Sequence, residues 1–130
     1  MQTTTTFNPS GRYIVIPIVV TTATGKRQRF TAILDTGAPR TEFSDVSLQQ
    51  AGFIITKKQV TIKEGLQTQK HANVSLPKIE ICSQHIDDLS VYVSRFDQSW
   101  GIDALIGLDF FRKFEVKINY KLGTITTEAL

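Results

Sequence analysis

The chain has 130 residues, a length typical of one domain with its own hydrophobic core. Hydrophobic residues make up 41% and charged residues 21%, which excludes disordered and collagen-like chains. The formal net charge of +3 is small and the basic residues are scattered, so no nucleic-acid partner is predicted. We therefore predict a single domain over residues 1–130, with its core at about residues 13–125.

Several features of the chain bear on its compartment and cofactors. No apolar run approaches the roughly 20 residues of a membrane-spanning helix, and Met1 to Pro9 lacks a signal-peptide pattern. If this is the full chain, a cytoplasmic protein without a membrane segment is expected. The lone Cys82 cannot form an internal disulfide and is expected to be a small core or edge residue and not a nucleophile. His71 and His85 lack ligand spacing, so neither a metal nor a cofactor is predicted.

The first half of the chain alternates between strand-like runs and turn signals. Isoleucine-rich and valine-rich residues predict a hairpin of two strands, Tyr13 to Val20 and Arg29 to Leu34. A short helix is predicted at Ser44 to Ala51, because Ser44 suits the N-cap and Gly52 suits the position after the last turn. Phe53 to Thr56 is predicted to begin another strand.

The second half continues the same pattern. Further strands are predicted at Val60 to Lys63, Ala72 to Leu76, Lys78 to Cys82, Leu89 to Val93, Ala104 to Gly107, Glu115 to Tyr120 and Thr124 to Thr127. The polar residues Glu64 to Gln69 would form a hairpin tip and Ser83 to Asp88 a turn, while Asp109 to Phe114 predicts a short helix. Short strands at this spacing indicate a β-barrel or a β-sandwich.

The segment Asp35-Thr36-Gly37 follows an apolar strand and combines three residue types that suit hydrolysis at a tight turn. A carboxylate can act as a general base on water. The Thr36 hydroxyl can hold the loop by hydrogen bonds, and Gly37 lets the backbone bend and a substrate approach closely. By itself the triplet is short enough to arise by chance, and an ordinary aspartate at the end of a strand explains it as well.

A second motif lies downstream, where Leu105 to Asp109 gives two apolar residues, a glycine and the start of the predicted helix. Together with Ile33 to Ala38 and Thr41, it resembles the retropepsin-like aspartic proteases, particularly their small cellular and bacterial members. Those proteins pair an Asp-Thr-Gly-Ala loop with a downstream apolar-apolar-Gly segment that passes beneath it. Val116 to Ile125 also resembles the closing hairpin of the family, so the resemblance covers roughly Tyr13 to Ile125.

The resemblance implies an all-β fold, a closed acid protease barrel with one short C-terminal helix, active as a symmetric homodimer. Only Asp35 stands in an Asp-Thr-Gly context, so the second catalytic aspartate must be Asp35 of another subunit. The implied function is an aspartic endopeptidase that hydrolyses peptides or proteins. The implied site residues are Asp35 for catalysis, Thr36 and Gly37 for support of the loop, and Ala38, Gly65, Leu66, Leu105 and Ile106 for substrate binding.

Some positions depart from the family pattern or stay open. Retroviral members often carry an acidic residue and an arginine where this chain has Pro39 and Leu108. Arg40 and Asp109 either form a reversed ion pair or are two surface charges. Trp100 either lines a substrate pocket or, as is commoner for a lone tryptophan in a β protein, is partly buried in the core.

Two other functions fit the sequence. One is a catalytically silent retropepsin-like module for dimerisation or peptide binding, against which the intact Asp35-Thr36-Gly37 counts. The other is a small β-barrel ligand-binding protein with a chance Asp-Thr-Gly, against which Leu105 to Gly107 counts. Lys63 to Gln69 lies where the family carries its flap, the hairpin that closes over bound peptide, and the alternative is a polar hairpin without that role.

Overall fold

The structure, a computed structural model, describes residues 1–53, 60–64 and 67–130, and the side chains of residues 1–53 and 73–130. In chain order its strands are β1 (Gln2–Thr6), β2 (Val15–Thr21), β3 (Arg27–Leu34), β4 (Glu42–Ser44), β5 (Val60–Glu64), β6 (Gln67–Ile81), β7 (Gln84–Ser94), β8 (Ala104–Ile106), β9 (Phe114–Asn119) and β10 (Thr124–Ala129). The described helices are α1 (Asp45–Gln50), α2 (Leu108–Phe111) and a 3-10 helix at Gln98–Trp100.

Six of these strands close into a barrel, in the order β2-β3-β8-β4-β7-β6, with β6 pairing back to β2. β5 pairs with the first part of β6 and extends the sheet beyond the barrel. A second sheet, β1-β10-β9, brings the first and last strands together. The predicted all-β closed barrel with a short helix near the C-terminus is confirmed.

The alternation of side chains along β2 shows how the sequence forms the barrel core. Ile16, Ile18 and Val20 are buried, because every second residue of a strand faces the same side. Pro17 faces outward and lies just before Ile18, where the pairing of β2 with β6 begins. A residue without a backbone N–H is tolerated there because that side of the strand is not yet paired.

The loop between β3 and β4 crosses over the end of β8. β8 runs parallel to β3 and antiparallel to β4, so it lies between them and residues 35–41 must pass it. Gly107 lies at the crossing, where an added Cβ would be 2.7 Å from the Ala38 carbonyl oxygen and 2.7 Å from the Arg40 carbonyl carbon. Glycine is therefore required for this crossing, since any side chain would push the loop away.

The reversal between β6 and β7 differs from the prediction. β6 is one strand where two were predicted, and β7 begins at Gln84, inside the predicted turn Ser83 to Asp88. Cys82 and Ser83 alone reverse the chain, with φ values of 51° and 60°. Both turn residues adopt the left-handed conformation although neither is glycine. The sequence therefore lacks the glycine that usually marks such a tight turn, and the predicted turn is too long.

The helices lie close to their predicted positions. In α1, Ser44 is the N-cap and its side chain accepts a hydrogen bond from the Ser47 N–H, while Gly52 follows the helix with φ of 91°. α2 begins at Leu108 and ends at Phe111, not at the predicted Phe114, because Phe114 belongs to β9. No helix in the described part of the chain is long and apolar enough to cross a bilayer.

The β5–β6 hairpin is tighter than predicted. Its register pairs Glu64 with Gln67, so most of the predicted polar tip belongs to the strands. Gly65 and Leu66, predicted to bind substrate at this tip, lie outside the described residues, as do residues 54–56 of the strand predicted at Phe53 to Thr56.

Cys82 is 2% exposed, which confirms the prediction of a small core residue. Burial raises the pKa of its thiol to about 11, because the charged thiolate would lose its hydration there. The thiol therefore stays protonated at neutral pH and is not a nucleophile.

Candidate active site

Asp35 lies where β3 leaves the barrel. Its backbone N–H donates to the Ile106 carbonyl of β8 at 2.9 Å. Its Oδ1 accepts the Gly37 N–H at 3.0 Å, and a Cβ at residue 37 would lie 3.2 Å from that oxygen. The loop backbone thus fixes the carboxylate, and the small residue at position 37 lets it lie this close.

A set of buried hydrogen bonds attaches this loop to α2. The Thr41 N–H and hydroxyl both donate to Asp109 Oδ1, at 2.9 and 2.8 Å, and Thr41 Oγ1 accepts the Gly107 N–H at 3.1 Å. The Leu108 N–H donates to the Ala38 carbonyl at 2.8 Å. Because Thr41 is fully buried, water does not compete for these bonds. They hold the active-site loop against the segment that begins at Gly107.

Arg40 does not pair with Asp109. A guanidinium nitrogen of Arg40 donates to the Ser90 carbonyl at 2.8 Å, and the guanidinium lies 4.4 Å from the ring centre of Tyr92. The Asp109 carboxylate instead accepts from Thr41. The reversed ion pair is therefore not formed, because each side chain is held by another neighbour.

A groove of about 470 Å³ opens beside Asp35. Its lining residues are Tyr13, Val15, Ile33, Leu34, Asp35, Trp100, Ile102 and Leu105. Apart from the carboxylate, these residues are aliphatic or aromatic, and the volume lies within the usual range of ligand clefts. An apolar groove with a single carboxylate can hold an apolar ligand and place it next to a general base.

The two substrate-binding residues predicted on β8, Leu105 and Ile106, face opposite sides of the strand. Leu105 lines the groove, whereas Ile106 is fully buried and packs in the core. The prediction for the Ile106 side chain does not fit the structure, because successive residues of a strand face opposite sides. Ala38 is not among the groove residues, and its carbonyl instead takes part in the crossing.

The residues predicted to support the loop lie beside the carboxylate. Gly37 makes the backbone contact to Asp35, and Thr36 is exposed at the tip of the same loop. Within the described part of the chain, no three His, Cys, Asp or Glu side chains are grouped closely enough to hold a metal ion.

Trp100 corrects the expectation of a core tryptophan. Its side chain is 56% exposed and lines the groove together with Asp35. One contact is with the buried Phe96, at 5.6 Å between ring centres. The position depends on the 3-10 helix around it, which the sequence pattern did not reveal.

Five further groove residues were not predicted as site residues, namely Tyr13, Val15, Ile33, Leu34 and Ile102. A signal did exist at the start of β2, where the outward-facing Val15 is as apolar as the inward-facing Ile16. An apolar residue on the outer face of a barrel strand indicates a contact surface, although it does not identify the ligand.

A closed barrel in which an Asp-Thr-Gly loop crosses an apolar-apolar-Gly segment defines a protein of the aspartic protease class. Residues 21–113 match the family model of the gag-polyprotein putative aspartyl protease, and the chain belongs to this family. Comparison with curated proteins gives no match.

Solved structures show the same fold. A retropepsin-like aspartic protease from Rickettsia conorii has a TM-score of 0.70 and 19% identity, over 98% of this chain and 89% of that chain. The retroviral protease-like domain of Ddi1 from Leishmania major has a TM-score of 0.62 and 15% identity, over 93% of this chain and 96% of that one. The EIAV protease in complex with the inhibitor HBY-793 has a TM-score of 0.58 and 15% identity, over 83% and 92%. The chain thus has the retropepsin fold.

Proposed function

We propose that the protein is an aspartic endopeptidase that works as a symmetric homodimer, with Asp35 of each subunit forming the catalytic dyad. One observation carries this proposal: the Asp35 carboxylate is held by the Gly37 N–H at the edge of an apolar groove. Membership of the aspartyl protease family supports it.

The need for a dimer follows from the number of suitable carboxylates. Among the described groove residues of one chain, Asp35 is the one carboxylate. Peptide hydrolysis of this type needs a base and an acid at the same place. A two-fold axis through the Asp35 loop would supply the second aspartate, because an isologous interface brings the same residue of both subunits together.

The chemistry follows from two carboxylates at contact distance. Both cannot stay ionised there, so they share one proton and titrate as a unit. The ionised member takes a proton from a bound water, and the water oxygen attacks the peptide carbonyl. The protonated member donates a hydrogen bond to the developing oxyanion, and a proton then passes to the leaving nitrogen as the C–N bond breaks.

Other residues would position the substrate. The apolar side chain of Leu105 would form part of the wall against which the peptide lies. The β5–β6 hairpin would act as the flap, and its closure would exclude water. The exposed Thr36 hydroxyl would hold the paired loops by hydrogen bonds.

The experiment compares wild type with Asp35→Asn on a diverse peptide library at mildly acidic pH. We expect wild type to cleave and statine-type inhibitors to block it, and Asp35→Asn to lose about a thousandfold or more of this activity. Asp88→Asn is the matched control, because Asp88 is exposed on β7 and does not line the groove. Its activity should equal that of wild type.

Two outcomes would overturn the proposal. Equal cleavage by wild type and Asp35→Asn would mean that another group does the chemistry. A verified wild-type dimer that cleaves nothing between about pH 3 and pH 7 would favour a catalytically silent dimerisation or peptide-binding module instead.

A further inference from the structure

Trp100 is the one tryptophan of the chain, and the fold leaves it 56% exposed. Burying a large aromatic side chain is strongly favourable, so an exposed one next to a candidate site indicates a contact surface. It lines the same groove as Asp35, together with the half-buried Ile102.

The turn that carries Trp100 is held by its own hydrogen bonds. Asp97 Oδ1 accepts the Ser99 N–H at 2.9 Å and the Ser99 hydroxyl at 2.7 Å. The Trp100 N–H donates to the Asp97 carbonyl at 3.0 Å, and Gly101 ends the turn with φ of 65°. The hydrogen bonds from Ser99 lower the pKa of Asp97, so this cap persists at mildly acidic pH.

Asp103 fixes the same turn to the barrel. Its Oδ2 accepts the Thr31 N–H of β3 at 2.8 Å, and its Oδ1 accepts the Ser47 hydroxyl of α1 at 2.6 Å. The Asp103 N–H also donates to the Thr31 carbonyl, and its carbonyl accepts the Ser44 N–H, both at 2.8 Å. Bonds to two separate elements anchor the chain just after the turn to the barrel and to α1.

Phe96 supports the indole from behind. Its ring is 5% exposed, and the ring planes of Phe96 and Trp100 are inclined by 51°. This contact, together with the anchored turn, leaves the exposed part of the indole as a preformed surface beside Asp35. Offset or edge-to-face packing with another aromatic ring is the contact such a surface favours.

We propose that Trp100 is the specificity-determining residue of this groove and that it selects an aromatic side chain of the peptide, adjacent to the scissile bond. The inference rests on the proposed peptidase function and extends it to a substrate class. A phenyl ring gains both apolar burial and ring packing against the indole, whereas a β-branched aliphatic side chain gains only part of the burial.

The first test measures kcat/KM on two peptides that differ only in the residue before the scissile bond, Phe in one and Val in the other. Wild type should prefer the Phe peptide, and Trp100→Ala should reduce this preference about tenfold. Trp100→Phe keeps a ring and should retain most of the preference. Tyr120→Ala is the matched control, because Tyr120 is 69% exposed but outside the groove. An unchanged preference in Trp100→Ala would overturn the inference.

The second test does not need catalysis. Since Trp100 is the single tryptophan, its fluorescence reports this groove alone. In the Asp35→Asn dimer, the Phe peptide should shift the emission to the blue and shield the indole from acrylamide, at concentrations about tenfold below those needed for the Val peptide. Peptide binding that leaves the emission and the quenching unchanged would contradict the inference.

The two tests separate the failure of this inference from that of the proposed function. Aromatic binding at Trp100 without cleavage by wild type would overturn the peptidase and leave the recognition intact. Cleavage with equal preference in all variants would overturn the recognition alone. An indole that dimerisation already shields from acrylamide, without peptide, would place Trp100 in the subunit interface and also overturn the recognition.

Discussion

Burial decides which single residues of this chain are chemically available. Asp35 lines the groove with one carboxylate oxygen fixed by the Gly37 N–H. Cys82, the lone cysteine of the chain, is 2% exposed and packs in the core. The barrel therefore leaves the Asp35 carboxylate accessible in the groove and shields the Cys82 thiol from solvent.

The Cys82 thiol is expected to be inert in the folded protein. Its pKa of about 11 leaves almost no thiolate at pH 8, and the side chain is shielded from reagents. Iodoacetamide at pH 8 should therefore label native protein very slowly and denatured protein fully, as mass spectrometry would show. Rapid labelling of the native protein would contradict the burial of Cys82.

The raised pKa of Cys82 also makes the free energy of unfolding depend on pH. The folded pKa lies above the ordinary value of 9.0, so the stabilisation from the neutral thiol is fully present below about pH 9. It is lost as the pH rises from 9.0 toward 11, because the unfolded chain then releases a proton that the folded chain retains. Cys82→Ala should reduce this loss in urea titrations over that range.

Among the elements, the crossing at Gly107 is the most constrained contact. An added Cβ would lie within 2.8 Å of three backbone atoms of the active-site loop, two of them in Arg40. Gly107→Ala should therefore destabilise the fold by about 3 kcal/mol or more and abolish activity, since the loop backbone must move. Urea unfolding and peptide cleavage would measure the two effects.

Gly52 offers the matched control for this substitution. It has φ of 91° and no atom within 4 Å of an added Cβ. Gly52→Ala should cost about 1 kcal/mol from backbone strain alone and leave activity intact. Equal effects of the two substitutions would show that the crossing is not under steric constraint.

Thr41 connects the same two elements by hydrogen bonds. Thr41→Val keeps the shape but removes the acceptor of the Gly107 N–H and one donor to Asp109. We expect a loss of about 2–3 kcal/mol, because buried polar groups are left unsatisfied. Thr41→Ser keeps the hydroxyl and should lose much less. Urea unfolding that showed Val and Ser to be equivalent would mean that the hydroxyl does not brace the loop.

At the scale of the whole molecule, most barrel strands and the two motifs could be predicted from the sequence. β2 shows inward alternation, and Asp35 and Gly107 mark the crossing by residue type alone. Other features depend on tertiary contacts that no local pattern encodes. Asp103, close after Trp100 in the chain, is bonded to the distant elements β3 and α1, and Arg40 is held by Ser90 and not by Asp109.

The central claim is that the two halves of the active site lie in different subunits. The most direct test refolds wild type and Asp35→Asn together at varied ratios and constant total concentration, then measures cleavage. If only dimers with two Asp35 residues are active, activity falls as the square of the wild-type fraction, to about a quarter in an equal mixture. A linear fall, to about half in the equal mixture, would mean that each chain carries a complete site and would contradict the shared dyad.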